Sequence, residues 1–231
     1  MERICVVGLL CSSFLCDILI TCALFSVESG VVVARELGMI RSIEGCVDRF
    51  AGEAVKKKVM EGSEKLTAKS SKEEIALWAK GAMERLDALV DEGTRSQIME
   101  NCGYNCSDVN NRVIERAKAR RKKFKSVDEF LEAEQRKPMK GTKLERKGNV
   151  LYHYYTPHSF SKSLRCYCSL LKGLPGDETI SSTYCHCSVG FVKKFWESVL
   201  EKPVQVDLLQ STVSGADECK FAIHLSSSHP S

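Results

Sequence analysis

Residues 189–225 read VGFVKKFWESVLEKPVQVDLLQSTVSGADECKFAIHL, and their apolar pattern predicts a helix followed by two strands. Apolar residues recur at helical spacing in the first part, with lysine and glutamate on the opposite face, and Pro203 ends the predicted helix. Two segments of alternating apolar residues follow, separated by a predicted turn at Ser214–Asp217. This stretch therefore predicts an amphipathic helix packed on antiparallel strands.

A second pair of strands is predicted upstream. Residues 144–155 contain two segments of alternating pattern, with Gly148 and Asn149 at the turn between them. Together the two hairpins predict an antiparallel sheet in the second half of the chain.

The first half has a helical pattern over residues 42–137. Ser71 followed by Glu74 is a capping-box signature ahead of apolar residues at helical spacing, and Gly93 is expected to end that helix. Glycine and asparagine within Cys102–Cys106 predict a turn. The expected fold class is α+β: a helical N-terminal half followed by an antiparallel sheet with a packed amphipathic helix.

Length and composition suit a globular chain with an unusual beginning. The 231 residues are 43% hydrophobic and 28% charged, which excludes a disordered chain and a many-pass membrane protein. We divide the chain into an apolar leader (1–30), a helical region (42–137) and an α+β ligand- or metal-binding region (138–226). The apolar run 4–25, interrupted by Asp17, is a signal or anchor, a dispensable extension, or a buried helix. We expect a cytoplasmic protein, or a membrane-anchored or secreted one if the leader functions.

Twelve cysteines are the main chemical signal, and six of them beyond the leader form three close pairs. In extended backbone, residues two apart point to the same side, so two Cys-x-Cys pairs can bring four thiolates together as structural zinc requires. An iron–sulfur cluster is the alternative cofactor; redox-active thiols, disulfides or inert packing also remain open. The favoured metal ligands are Cys166, Cys168, Cys185 and Cys187, with Cys102 and Cys106 completing the site or forming a separate thiol pair.

Other polar and aromatic groups carry weaker predictions. Cys219 and Cys46 are interpreted as buried core thiols. The aromatic group around His153 either lines a ligand pocket or consists of half-exposed strand residues. Eight cations and one acid lie between Arg112 and Lys125, which is typical of a solvated helix end; without a recognisable binding module, nucleic acid is not an expected partner.

Three motifs between residues of about 150 and 225 carry a resemblance to known families: Tyr184-Cys185-His186-Cys187-Ser188-Val189-Gly190, Glu201-Lys202-Pro203-Val204, and Gly215-x3-Cys219-x-Phe221-x-Ile223. They resemble the C-terminal half of the 4-vinyl reductase domain family and are similar to L-2-amino-thiazoline-4-carboxylic acid hydrolase-like proteins. The resemblance implies an α+β ligand-binding fold related to haem/nitric-oxide sensors and transport-particle subunits. Members of the 4-vinyl reductase domain family are expected to bind small hydrophobic molecules, and some carry cysteine-bound metal. The additional Cys-x-Cys pairs mark a cysteine-richer relative.

Two functions follow as hypotheses. The first is a metal-binding module, with zinc the favoured metal, that binds a small apolar or sulfur-containing molecule. The second is a hydrolase acting on a small cyclic C–N substrate through metal-bound water or a thiolate. Cys185 and Cys187 are its candidate nucleophiles, with His153, His158 or His186 as the base; no residue is assigned as catalytic. A membrane partner is expected only through residues 4–25.

Overall fold

The computed structural model of the chain describes residues 35–109, 111–161 and 164–225. The predicted leader, residues 1–30, lies outside these ranges. Within them, no helix combines the length and the apolar character that a membrane span requires. The α+β fold class expected from the sequence is confirmed, because helices dominate the first half and a four-stranded antiparallel sheet occupies the second.

The described helices are α1 (35–51), α2 (Glu53–Val59), α3 (Lys72–Leu89), α4 (Glu92–Val109), α5 (Asn111–Arg121), α6 (Val127–Arg136) and α7 (His186–Leu200). The strands are β1 (Thr142–Lys147), β2 (Val150–Tyr155), β3 (Gln205–Gln210) and β4 (Cys219–His224). Short 3-10 turns lie at Pro157–Ser159, Ser169–Leu171 and Ser182–Cys185.

Both predicted hairpins form, and they join into one sheet with the strand order β1-β2-β4-β3. Gly148, at the tip of the first hairpin, has a φ of 59°, which a glycine adopts without strain. Strand β4 pairs with β2 as well as β3, so Tyr155 lies opposite Cys219 at one end of the sheet. That end of the sheet later forms part of the site.

In the helical half, one sequence prediction is confirmed and two are wrong. The capping box is confirmed, since the Glu74 backbone N–H donates to Ser71 Oγ at 3.1 Å and the Ser71 N–H donates to Glu74 Oε2 at 2.6 Å. The expected helix end at Gly93 is wrong, because α3 already ends at Leu89 and Gly93 lies in the first turn of α4. The turn expected at Cys102–Cys106 is also wrong, because α4 runs through it without a break.

Helix α7 lies between the sheet and α4, and both sides of it are buried. Its apolar face packs on the inner face of the sheet in a cluster that includes Trp196, Phe221 and Ile223. On the other side, α1, α3 and α4 enclose a second apolar cluster that includes Leu86 and Ile98. The two clusters therefore lie on opposite sides of the α4–α7 pair.

Two glycines allow α4 and α7 to cross at backbone contact. A methyl group at Gly103 would overlap the carbonyl oxygen of Cys187, and one at Gly190 would overlap the carbonyl oxygen of Glu100. Neither obstacle is a flexible side chain, so the backbones themselves would have to separate. Gly103 thus serves helix packing rather than the turn that the sequence suggested.

We predict that Gly190→Ala lowers the free energy of unfolding by about 3 kcal/mol, because the added methyl group must push α7 away from α4. Chemical denaturation at constant pH measures the change. Gly45→Ala is the matched control: no atom lies within 4 Å of its added Cβ, so helix propensity should raise stability by about 0.5–1 kcal/mol. Equal effects of the two substitutions would contradict the close crossing.

Candidate functional site

A cavity of about 660 Å³ lies beside the end of the sheet where Tyr155 faces Cys219. Its walls come from α5, the first turns of α7, strands β2 and β4, and the segment that follows β2. The apolar and aromatic residues of the lining are Met39, Val113, Ala117, Met139, Tyr155, Pro157, Phe160, Tyr167, Phe191 and Phe195.

The structure brings five cysteines to the wall of this cavity: Cys106, Cys166, Cys168, Cys187 and Cys219. Four of them belong to the predicted metal set, and Cys219 was expected only to fill the core. Two members of the predicted set, Cys102 and Cys185, are not among the residues that line the cavity.

The local backbone explains why Cys185 and Cys187 separate. Cys185 ends a 3-10 turn and Cys187 lies in the first turn of α7, so the extended conformation expected for this pair is wrong. On a helix, residues two apart point about 200° apart around the axis rather than to the same side. Cys187 therefore lines the cavity, whereas Cys185 is buried elsewhere.

Cys102 and Cys106 also separate, although they lie one helical turn apart on α4. The Cys102 thiol contacts the carbonyl oxygen of Ser42 at 3.8 Å and so packs against α1. On the same side, the Asn105 amide donates to Cys46 Sγ at 3.8 Å. Cys46 is buried, which confirms its predicted place in the core.

Burial makes the candidate thiols weak acids. Desolvation is the main cause that raises the pKa of Cys166, Cys168 and Cys187, and it raises the pKa of Cys185 to about 11. At Cys168 desolvation outweighs the opposing hydrogen bond from the Tyr184 hydroxyl at 2.9 Å. These four thiols are therefore neutral near pH 7.

Throughout the described ranges, no group of three or more histidine, cysteine, aspartate or glutamate side chains has an arrangement that could hold a metal ion. Cys166, Cys168 and Cys187 share a cavity wall, but their neutral state means that a metal ion would have to displace protons to bind them. The zinc site and its iron–sulfur alternative stay predictions.

Aromatic rings form a continuous line along the cavity. Phe160 contacts Tyr167 edge to face with ring centroids 5.8 Å apart, Tyr167 contacts Tyr155 at 5.7 Å, and Tyr155 contacts His153 at 5.1 Å. Phe160 and Tyr167 are 47% and 37% exposed, whereas His153 is 2% exposed. The line therefore runs from the surface into the interior.

His153 is the buried polar group at the inner end of this line. The indole N–H of Trp196, on α7, donates to His153 Nδ1 at 3.1 Å. Because indole can only donate, Nδ1 must be unprotonated, and the neutral ring carries its proton on Nε2. In the described part of the chain Nε2 has no hydrogen-bond partner. Burial lowers the pKa of His153 to about 3.

Part of this site is predicted by the sequence. His153 and Tyr155 belong to an aromatic group expected either to line a pocket or to stand half-exposed, and both lie on the cavity wall. Phe160 and Tyr167 follow β2 in irregular backbone without a periodic pattern, so no sequence signal places them there. The helical pattern of Phe191 predicts only a place on the apolar face of α7.

The family model that matches residues 39–229 is that of DUF6144, a family of unknown function. The chain belongs to this family. No curated protein matches it. Among solved structures, it is similar to an Fe(II) unliganded H-NOX protein from K. algicida, with 16% identity, a TM-score of 0.41, and coverage of 84% of this chain and 95% of that chain. These matches name neither family that the sequence resembles, so that resemblance stays a prediction.

In this DUF6144 chain, the low pKa of His153 predicts a loss of stability in acid. The unfolded chain takes up a proton near pH 6.5, whereas the folded chain resists protonation down to about pH 3. The free energy of unfolding should therefore fall by about 2 kcal/mol between pH 6.5 and 5 because of this residue. Denaturation across that range measures it, with His153→Gln as the comparison that lacks the imidazole. Identical pH dependence in both proteins would contradict the buried neutral state.

Proposed function

We propose that this protein binds a small, largely apolar molecule in the cavity beside the end of the sheet. The observation that carries the proposal is the cavity itself: about 660 Å³, within the range of about 300–1,000 Å³ that small-molecule sites occupy. Aromatic rings, aliphatic groups and neutral thiols make up most of its wall. Such a wall favours apolar ligands. Their surface gains free energy by leaving water, whereas a polar ligand would lose hydrogen bonds to water that this wall does not replace.

His153 is the polar residue at the inner end of this wall. Its Nε2 proton is buried and has no acceptor in the described chain, and leaving such a donor without an acceptor costs about 1–3 kcal/mol. Because Nε2 is not exposed to the cavity, it offers a ligand there no direct hydrogen bond. The proposed ligand is therefore defined by the apolar wall.

The hydrolase alternative receives less support from the site. Its candidate nucleophiles, Cys185 and Cys187, have pKa values raised by burial, whereas a catalytic thiol is activated by a lowered pKa or by an adjacent base. His153 cannot accept a proton through Nδ1 while that atom accepts the Trp196 hydrogen bond. Nε2 of His186, another candidate base, contacts Ser96 Oγ at 3.3 Å. In the described part of the chain, that nitrogen makes no hydrogen bond to either candidate nucleophile. Hydrolysis stays a prediction, and ligand binding is the function that the cavity supports better.

A fluorescent neutral probe tests the proposal. N-phenylnaphthylamine is apolar, carries no charge, and emits strongly when it leaves water. We expect saturable binding of one probe molecule per chain, measured by fluorescence titration of the full-length protein.

Ser188→Phe gives the decisive variant, because Ser188 lines the cavity and a phenyl group there occupies the ligand's space. We expect at least about tenfold weaker probe binding. Ser182→Phe is the matched control, since Ser182 is exposed and is not part of the cavity wall. Absence of saturable binding to the unmodified protein, or equal binding to both variants with intact circular dichroism, would contradict the proposal.

The metal prediction is tested separately by metal analysis of anaerobically purified protein. One zinc per chain, lost together with probe binding in Cys168→Ser, would establish a thiolate centre in the same cavity. Zinc well below one per chain, with probe binding retained in Cys168→Ser, ends the metal prediction and leaves the binding proposal intact. We expect the second result, because no group of three or more candidate ligands in the described ranges has an arrangement that could hold a metal ion.

A further inference from the structure

From the charged side chains around the cavity we infer that its ligand is an organic anion: an apolar body held inside, with a carboxylate, sulfonate or similar group at the rim beside Arg116 and Lys140. The inference rests on the proposed binding function and names the ligand class. It is carried by the imbalance of charge along the cavity wall.

The charged residues that line the cavity are four cations and one carboxylate: Arg35, Arg116, Arg120, Lys140 and Glu134. The carboxylate is already compensated, because Arg120 Nε lies 2.5 Å from Glu134 Oε1. Arg120 also donates to the carbonyl oxygen of Lys137 at 3.2 Å. This pair contributes no net charge to a ligand. Arg35 has interactions of its own, so Arg116 and Lys140 are the cations that determine which ligand charge is favoured.

Arg116 is a cation for which the described residues provide no counter-ion. It is exposed on α5, and among the described residues its guanidinium has no ion pair and no hydrogen bond. The nearest acid along the helix, Glu115, is bound to Lys118 at 3.0 Å. Val113 and Ala117, one turn before Arg116 and next to it, also line the cavity, so the cation stands beside apolar wall.

Lys140 is the second such cation. Its ammonium lies 5.0 Å from the centroid of Phe160, the exposed aromatic ring at the outer end of the aromatic line. Within the described part of the chain, no carboxylate pairs with Lys140. The ammonium is therefore held at the rim by an aromatic face, which leaves its hydrogen-bond donors available to a ligand.

This arrangement matches a molecule with an apolar body and one anionic end. The body replaces water along the aromatic rings and thiols, while the anion stays at the exposed rim, where it keeps part of its hydration and is attracted by the positive charge of Arg116 and Lys140. A neutral ligand of the same shape gains from burial of its apolar body but not from attraction to the cations. The structure therefore predicts a preference for the anion over its neutral analogue.

A pair of probes that share one body tests this preference. Anilinonaphthalenesulfonate is N-phenylnaphthylamine with a sulfonate added, so the affinity ratio of the two reports the effect of the charge. We expect the anion to bind more tightly, to displace the neutral probe competitively, and to lose affinity as salt is raised while the neutral probe does not.

Variants then locate the charge effect. Arg116→Gln and Lys140→Gln should each weaken the anionic probe by about threefold to tenfold and change the neutral probe by less than about twofold. Arg136→Gln is the matched control: it removes the same charge from an exposed position on α6 that does not line the cavity, and it should change neither affinity.

The outcomes separate this inference from the proposed function. If the neutral probe does not bind, the binding proposal itself fails. If the neutral probe binds saturably and the sulfonate probe binds no more tightly, the binding proposal stands and the preference for an anionic ligand is overturned. Equal weakening of both probes by Arg116→Gln would also overturn it, because the arginine would then act through the packing of its aliphatic stem.

Discussion

The close crossing of α4 and α7 is the constraint on which the rest of the structure depends. Backbone contact at Gly103 and Gly190 fixes the first turns of α7 against α4, and the opposite face of α7 is fixed by the sheet. A helix held from two sides cannot rotate without losing apolar contacts on both. Cys187 and Phe191, on those first turns, are consequently held at the cavity wall.

The cavity persists because its wall is supported from outside. The Trp196 hydrogen bond orients His153 from α7, and the Tyr167 hydroxyl donates to the carbonyl oxygen of Gly141 at 2.9 Å, which ties the segment after β2 to the start of β1. Gly141 has a φ of 81°, and a side chain there would overlap Tyr167 and Phe160. Rings held by hydrogen bonds and edge-to-face contacts do not collapse inward as single aliphatic side chains would.

Sequence patterns predicted those elements whose geometry is set by residues a few positions apart. The capping box at Ser71, the hairpin around Gly148 and the amphipathic face of α7 are local in this sense, and all three are present. The turn assigned to Cys102–Cys106 failed because the role of Gly103 depends on Cys187, which lies far along the chain. The cavity could not be read from the sequence for the same reason: its walls come from several separate segments, and only the fold places them together.

The spacing of the paired cysteines does not by itself determine whether their side chains converge on one point. Side-chain direction in a Cys-x-Cys pair depends on the backbone, so the same spacing that converges in a strand diverges at the start of α7. Protonation matters equally: each unit by which a thiol pKa exceeds the solution pH costs about 1.4 kcal/mol when a ligand requires the thiolate. A neutral thiol is instead a small, polarisable and weakly hydrogen-bonding group that packs well against apolar molecules. Cys166, Cys168 and Cys187 are half-buried on the cavity wall, and desolvation raises the pKa of each thiol, so without a metal ion they are neutral and form part of an apolar wall.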